Sequence, residues 1–562
     1  MTGASENHAA MPSTPLAALG RSRLAFGPAA ADTKLALLKQ LSRTRLGSAR
    51  GVRRLHEALC FILAYPDDAT VLEQVQAMLA RFAARTDLRA HRAALADSGI
   101  AGTAIHYRFF AGQAQWLANR WPARLRLDRS DAEAEARIAR ALPPLLTLAE
   151  AHALNELKLP GYAALDRLRS ADETDAVFLL RRIAAMPGSG FTREVFSDGV
   201  DASYVLAPGP DTPSRTAAHF AGAAAVFQHE ELQRARPDLR AELVRAPRSV
   251  RRLSQQDGRA IIELARSAMV TRARSLEAFS FADARDAWLV DDGDGLGFAF
   301  VGVIPERRNA VAAYYGGLTL RNGVPIGYTQ ADLVGASAAL SFNTFDTFRG
   351  GEAAFTFARW LAALRHAFGS TSFSIEPYQL GADNDEAIDS GAWWFYAKLG
   401  FRPRDAAAAR LARDELARLQ RRPAHRSRPA TLRRLAERHL YFDLDPVHPL
   451  PRLDLAALGM RSGAALSKRD SKRELAIEQA STELLRHCGL MSLGSFSTNQ
   501  REAWRRLAPI LTLLDLGAWP ARERRALVDL VRAKGGRSER DYVVRYRARP
   551  RLDEALRQFA AR

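Results

Sequence analysis

Two short stretches carry residues whose types and spacing could do chemistry. The first, DTFRGGEAAFTFARWLAALRHAF from Asp346, moves from a strand-like run through Arg-Gly-Gly into a helical pattern with Ala354, Phe357, Ala358, Leu361, Leu364 and Phe368 on one stripe. Gly350 and Gly351 permit backbone conformations and close approaches barred to other residues, and the free amides at a helix start favour an anion such as a pyrophosphate. Arg349 could add a charge-assisted hydrogen bond. Taken alone, Gly-Gly before a helix is commonly just a turn. The second stretch is SGAWWFYAKLGFRP, Ser390 to Pro403. Ala392, Phe395, Tyr396 and Leu399 fall at i, i+3, i+4 and i+7, one stripe of a helix that Asp389 or Ser390 is expected to cap and Gly400 to end in a left-handed conformation. The competing reading is that its aromatics simply fill a core.

The elements that must position these stretches lie in a region of mixed character from about Ser249 to Arg404. A helix, DGRAIIELARSAMVTRARSLEAF, leads into LGFAFVGVIPE. Then comes YYGGLTLRNGVPIGYTQADL, in which Asn322-Gly323 marks a hairpin turn between strand-like runs. ASAALSFNTF reads as a further strand before the Gly turn, and TSFSIEPYQL as a short one after the helix. The order strand, hairpin, strand, helix, strand, helix predicts an α+β domain.

At 562 residues the chain is expected to hold two to four folded units. Residues 1–32, rich in Ala, Ser, Pro and Gly, read as a flexible leader, and 33–187 as an α-helical domain, with Val71, Val75, Met78, Leu79 and Phe82 at helical spacing. Within it, IHYRFFAGQAQWLANRW interleaves aromatics with Arg108 and Arg120. That pattern can stack on bases, and more often packs a core. Residues 188–248 read as a connecting region. Residues 405–562 read as an Arg-rich, mainly helical region in which DYVVRYRAR resembles a strand.

The net charge of +19 favours contact with polyanions, although arginine greatly outnumbers lysine along an alanine-rich chain, as biased composition alone produces. The same field would draw in a phosphorylated small molecule. Two cysteines, Cys60 and Cys488, form no CxxC pattern, and the histidines show no zinc-ligand spacing, so no metal site is expected. With no secretory signal pattern and no long apolar run, a cytoplasmic protein without membrane contact is expected.

DSGAWWFYAKLGF resembles the late helix-to-strand signature of the Gcn5-related N-acetyltransferases. There an Asn, an Ala three positions later and a Tyr seven positions later precede Leu-Gly-Phe; Asp389, Ala392, Tyr396, Leu399, Gly400 and Phe401 occupy those positions. FRGGEAA is similar to the family's Arg/Gln-x-x-Gly-x-Gly/Ala turn, though one residue shorter, and Asp389 stands where Asn is common. The resemblance covers roughly 249–404. It implies a mixed-sheet acyltransferase domain flanked by helical regions. The implied reaction is direct transfer of an acyl group from acetyl-CoA or another acyl-CoA to an amine, small molecule or protein. It also implies that Arg349, Gly350, Gly351, Glu352 and Ala353 meet the pyrophosphate, that main-chain groups from Ser341 to Phe345, Asn343 and Phe345 among them, meet the pantetheine, and that Asp389 belongs to the cofactor site. Tyr396 matches the position from which a family tyrosine protonates the departing thiolate. The base is left open between Glu376 at a strand end, Asp346 and Glu352. The rival reading is a non-catalytic basic protein that contacts nucleic acid through its Arg-rich helices.

Overall fold

The computed structural model describes residues 14–222 and 225–561. Two sheets organise a mixed α/β fold in which helix predominates. The smaller has three antiparallel strands, β1 (Ile105–Tyr107), β2 (Leu125–Leu127) and β3 (Tyr204–Leu206), with β3 in the middle. The N-terminal region is therefore not wholly helical. Its aromatic and arginine stretch packs this core: Phe109 and Trp121 are buried, and Arg108 pairs with Asp131 and Asp201. Of the expected leader, residues 1–13 lie outside the described residues. The remainder forms the Pro15–Ser22 helix and the start of Pro28–Arg43, held by Leu19, Ala31, Leu38 and Leu41 in an apolar cluster.

The larger sheet has nine strands: β4 (Ser249–Arg252), β5 (Ala282–Gly293), β6 (Leu296–Val303), β7 (Ala313–Arg321), β8 (Val324–Val334), β9 (Ser337–Thr344), β10 (Ser372–Ile375), β11 (Arg402–Pro403) and β12 (Leu440–Asp443). Their spatial order is β11-β12-β10-β9-β8-β7-β6-β5-β4. β4 to β9 form an antiparallel run, β9 and β10 are parallel, and β12 lies antiparallel between β10 and β11. The β7–β8 turn is the expected one: Asn322 and Gly323 have φ of 47° and 74°, the paired left-handed conformations that match the twist of a two-residue hairpin.

Alternation decides what covers each face. On one side Leu340, Phe373 and Ile375 meet Phe357, Leu361 and Leu364 of the Ala353–Phe368 helix. On the other, Ile261, Ile262 and Met269 of the Gln255–Val270 helix meet Ala287, Ala299 and Val301.

Two expectations are corrected here, and one strand appears for which the sequence reading has no element: in β5, ADARDAWLVDDG, Asp286 is fully buried as the acceptor for the Tyr315 hydroxyl, the Ser538 hydroxyl, the Trp288 indole and the Glu539 amide. DYVVRYRAR lies mostly in the Glu539–Arg547 helix, which buries Tyr542, Val543 and Tyr546; packing overrides their β propensity. The sheet also continues past Arg404, taking β12 from beyond a 36-residue insertion, 404–439. No helix among the described residues is long and apolar enough to cross a membrane.

Candidate functional site

The site begins where β9 and β10 part. Their parallel pairing runs from Ser337–Ser372 to Leu340–Ile375; β10 ends there, two residues before Pro377 opens a short helix, while β9 continues to Thr344, paired only with β8. The β10-facing edge of Phe342–Thr344 thus lacks a strand partner and borders a pocket of about 280 Å³. Phe342, Phe395 and Tyr396 line it from the face covered by the Ala353–Phe368 helix, and Tyr328 and Asn343 from the opposite face, so the gap reaches through the sheet.

The wall formed by Phe395 and Tyr396 explains the aromatic stretch. Ala392–Lys398 is a helix of two turns, preceded by Gly391 at φ 70° and followed by Gly400 at φ 103°. Gly400 ends it as expected. The start differs: Asp389 and Ser390 close a separate helix, Asp385–Ser390, and Gly391 takes the cap position with no side-chain hydrogen bond, because the chain reverses there in a left-handed conformation. Tyr396 is 3% exposed and its ring meets Phe357, Phe395 and Phe401 at centroid distances of 5.5, 5.1 and 5.9 Å. Burial pushes its phenol well above the usual value, so it stays protonated and can donate. Of the two tryptophans, Trp393 is buried in the core, while the Trp394 indole donates to Ser427 of the insertion at 3.2 Å.

At one end of the pocket, Asp346–Phe348 forms a single turn before Arg349-Gly350-Gly351, and the helix from Ala353 starts without a side-chain cap. Gly350 has φ of 84° and open space around it, so backbone conformation selects glycine there. Arg349 donates to the Thr344 carbonyl at 3.3 Å and pairs with Asp346 at 2.9 Å and Glu386 at 3.4 Å; Arg274 reaches the same Glu386 at 3.4 Å. Two arginines therefore meet one exposed carboxylate, and Ala353 at the uncapped helix start lines the same pocket.

Of the residues singled out from sequence, the structure brings Asn343, Arg349, Ala353 and Tyr396 to the pocket lining. The others stand elsewhere. Phe345 is buried under the Arg272 guanidinium, 3.7 Å from its ring centre. Gly350 lies in the exposed turn, and the position of a Cβ on Gly351 faces Phe348 and Leu232. Glu352 turns away from the pocket, buried, with Arg321 at 3.6 Å and the Gln233 amide at 3.3 Å. Asp389 is exposed on its own short helix, and Asp346 is engaged by Arg349. Glu376, half-buried, follows the last residue of β10.

Sequence reasoning missed the partner of Glu376. Asp332 of β8 lies opposite Ala339 of β9, which lies beside Ser374 of β10; Glu376, two residues beyond Ser374, shares that face. Burial, then the charge of Glu376, pushes the Asp332 carboxyl up to about 7, with Glu277 adding to the effect. The available signal was the alternation Tyr328, Gln330, Asp332 within β8, which sets polar side chains on one face between the buried Ala331 and Leu333. Among the described residues no group of three or more His, Cys, Asp or Glu could hold a metal ion. A carboxylate pair with one member poised near neutrality can exchange a proton with an amine. The arginines and helix start can hold an anion, and Tyr396 can donate a proton into the gap. No known protein family, curated protein or solved structure matches the chain.

Proposed function

We propose that the protein transfers an acyl group from an acyl-CoA to an amine. The observation that carries this reading is the parting of two parallel strands beside an uncapped helix start, with a buried tyrosine in the wall of the gap. The resemblance to the Gcn5-related N-acetyltransferases supports the same reading, because Asn343, Arg349, Ala353 and Tyr396, which it assigns to an acyl-CoA site, line this gap. The free edge of Phe342–Thr344 offers main-chain groups to the amides of a pantetheine arm. Arg349, Arg274 and the amides around Ala353 suit a pyrophosphate, Glu386 holding the arginines in its absence. The donor supplies a thioester, an acyl carbon activated for attack.

In the transfer a C–N bond forms and the C–S bond breaks. Asp332, directly or through Glu376, takes the proton lost by the amine; a carboxyl near 7 is matched to that task at neutral pH. Tyr396 returns a proton to the sulfur, and its hydroxyl stays protonated until then.

Calorimetric titration with acetyl-CoA and longer acyl-CoAs tests the reading. Saturable binding is expected, weakened about tenfold or more in Arg349→Ala, in line with the loss of a charge-assisted hydrogen bond. Absence of binding to every acyl-CoA by folded protein would overturn it.

A further inference from the structure

The 36-residue insertion between β11 and β12, 404–439, holds eleven arginines, no lysine and four acidic residues. This surplus of seven positive charges is more than a third of the chain's net +19. All eleven arginines are exposed. Arg404, Arg418 and Arg433 pair with Asp443, Glu415 and Asp385; the other eight have no ion pair among the described residues. Composition alone would scatter arginines and let acidic neighbours neutralise them. Here they are concentrated and left open.

The segment is also fixed in place. Its helices are Ala406–Arg421 and Pro429–Ala436. Glu415 of the first helix, 1% exposed, accepts from Arg418 and from Ser427 of the linker and meets His425 at 3.0 Å, while Trp394 holds Ser427 from the aromatic helix. Ala408, Ala412 and Glu415 face inward, which turns Arg410, Arg413 and Arg421 outward at i, i+3 and i+11. That stripe runs about 16 Å along the helix at 1.5 Å per residue.

We infer that this insertion is a docking surface for double-stranded nucleic acid, read through its phosphates. Its exposed residues include no aromatic and no large apolar side chain, only arginine, acidic residues, Gln420, alanine and proline. A protein partner would need an apolar centre, and a single strand would need rings on which to stack its bases; neither is present. Arginine forks match phosphate oxygens in pairs, and a duplex carries the dense, regular charge that a rigid stripe can follow. The inference does not depend on the acyl-transfer reading.

Fluorescence anisotropy with a mixed-sequence duplex of about two turns, titrated with salt, tests it. For wild type, affinity is expected to fall steeply between about 50 and 200 mM salt. The R410Q/R413Q/R421Q variant is expected to bind about tenfold or more weakly, with a log–log salt slope shallower by roughly 2 to 3, near 0.9 per lost contact. Its three sites are exposed and unpaired, so its thermal midpoint should match wild type. A control, R89Q/R92Q, removes two exposed arginines far along the chain and should bind as wild type. Four results would each overturn the inference: no duplex binding at about 50 mM salt, an unchanged triple variant, an equal loss in the control, or tighter binding of a single strand, polyglutamate or anionic lipid vesicles than of the duplex.

Discussion

Two arginine–glutamate pairs flank the same glycine turn, and they differ in almost everything except chemistry. Arg321 and Glu352 stand 3.6 Å apart with side chains 6% and 4% exposed, and the Gln228 side chain and the Tyr65 ring enclose the arginine. Arg349 and Glu386 stand 3.4 Å apart at 48% and 59% exposure, and Arg274 competes for the carboxylate. Removing one partner of the buried pair strands a charge in a low-dielectric interior. Removing one partner of the open pair returns the other to water. The first pair is a fixture of the fold and the second a displaceable contact, so only the second suits a ligand that comes and goes. Glu352, three residues after Arg349, belongs to the turn in sequence and to the core in space.

That contrast can be broken most forcefully at Glu352. Glu352→Ala is expected to cost about 3 to 5 kcal/mol, read as a large drop in the urea or thermal midpoint, whereas Glu386→Ala should cost about 1 kcal/mol or less. Equal losses would erase the distinction. On the catalytic side, Asp332→Asn should lower turnover about 100-fold or more with little change in acyl-CoA affinity. Wild-type activity should rise with pH through about 7 as Asp332 loses its proton, and the variant should lack that limb. The same group has a stability signature. Its folded pKa lies above the unfolded value of 3.8, so the folded state holds the extra proton between the two, and stability should fall as pH rises from about 4 through 7. Asp332→Asn should flatten that decline. Tyr396→Phe comes next, with turnover down roughly 10-fold to 100-fold and binding nearly unchanged, measured by thiol release. The smallest effect is the sharpest test of the open pair: Glu386→Gln should tighten acyl-CoA binding by a few-fold, because it removes the carboxylate that competes for Arg349 and Arg274. Weaker binding would make Glu386 part of the ligand site.

Local chemistry was legible in the sequence where the chain answers to its own neighbours. Asn322-Gly323 needs left-handed conformations at both positions, Gly400 ends its helix as a residue without Cβ can, and the stripe of Ala353–Phe368 follows from periodicity. Long-range compensation was not legible. β5 hides because Asp286 finds its partners 29 and more than 250 residues away. The Glu539–Arg547 helix hides because its aromatic residues pack as a helical face against a core built elsewhere. Of the pocket lining, Tyr396 and Arg349 stand out in the sequence by motif spacing, but Asp332 is defined by strand register, and the inward turn of Glu352 by an arginine 31 residues upstream. Distance along the chain separated what could be read from what could not.

The Asp286 cluster also bears on the order in which the chain is assembled. The carboxylate is buried by the sheet, yet two of its four donors, the Ser538 hydroxyl and the Glu539 amide, come from the far end of the chain. During synthesis, β4 to β12 emerge some hundred residues ahead of those donors, and a sheet closed early would enclose a half-satisfied charge. The nascent chain therefore has reason to stay open until the Glu539–Arg547 helix has left the ribosome, and the slow step of its folding should be the docking of that helix rather than the pairing of strands.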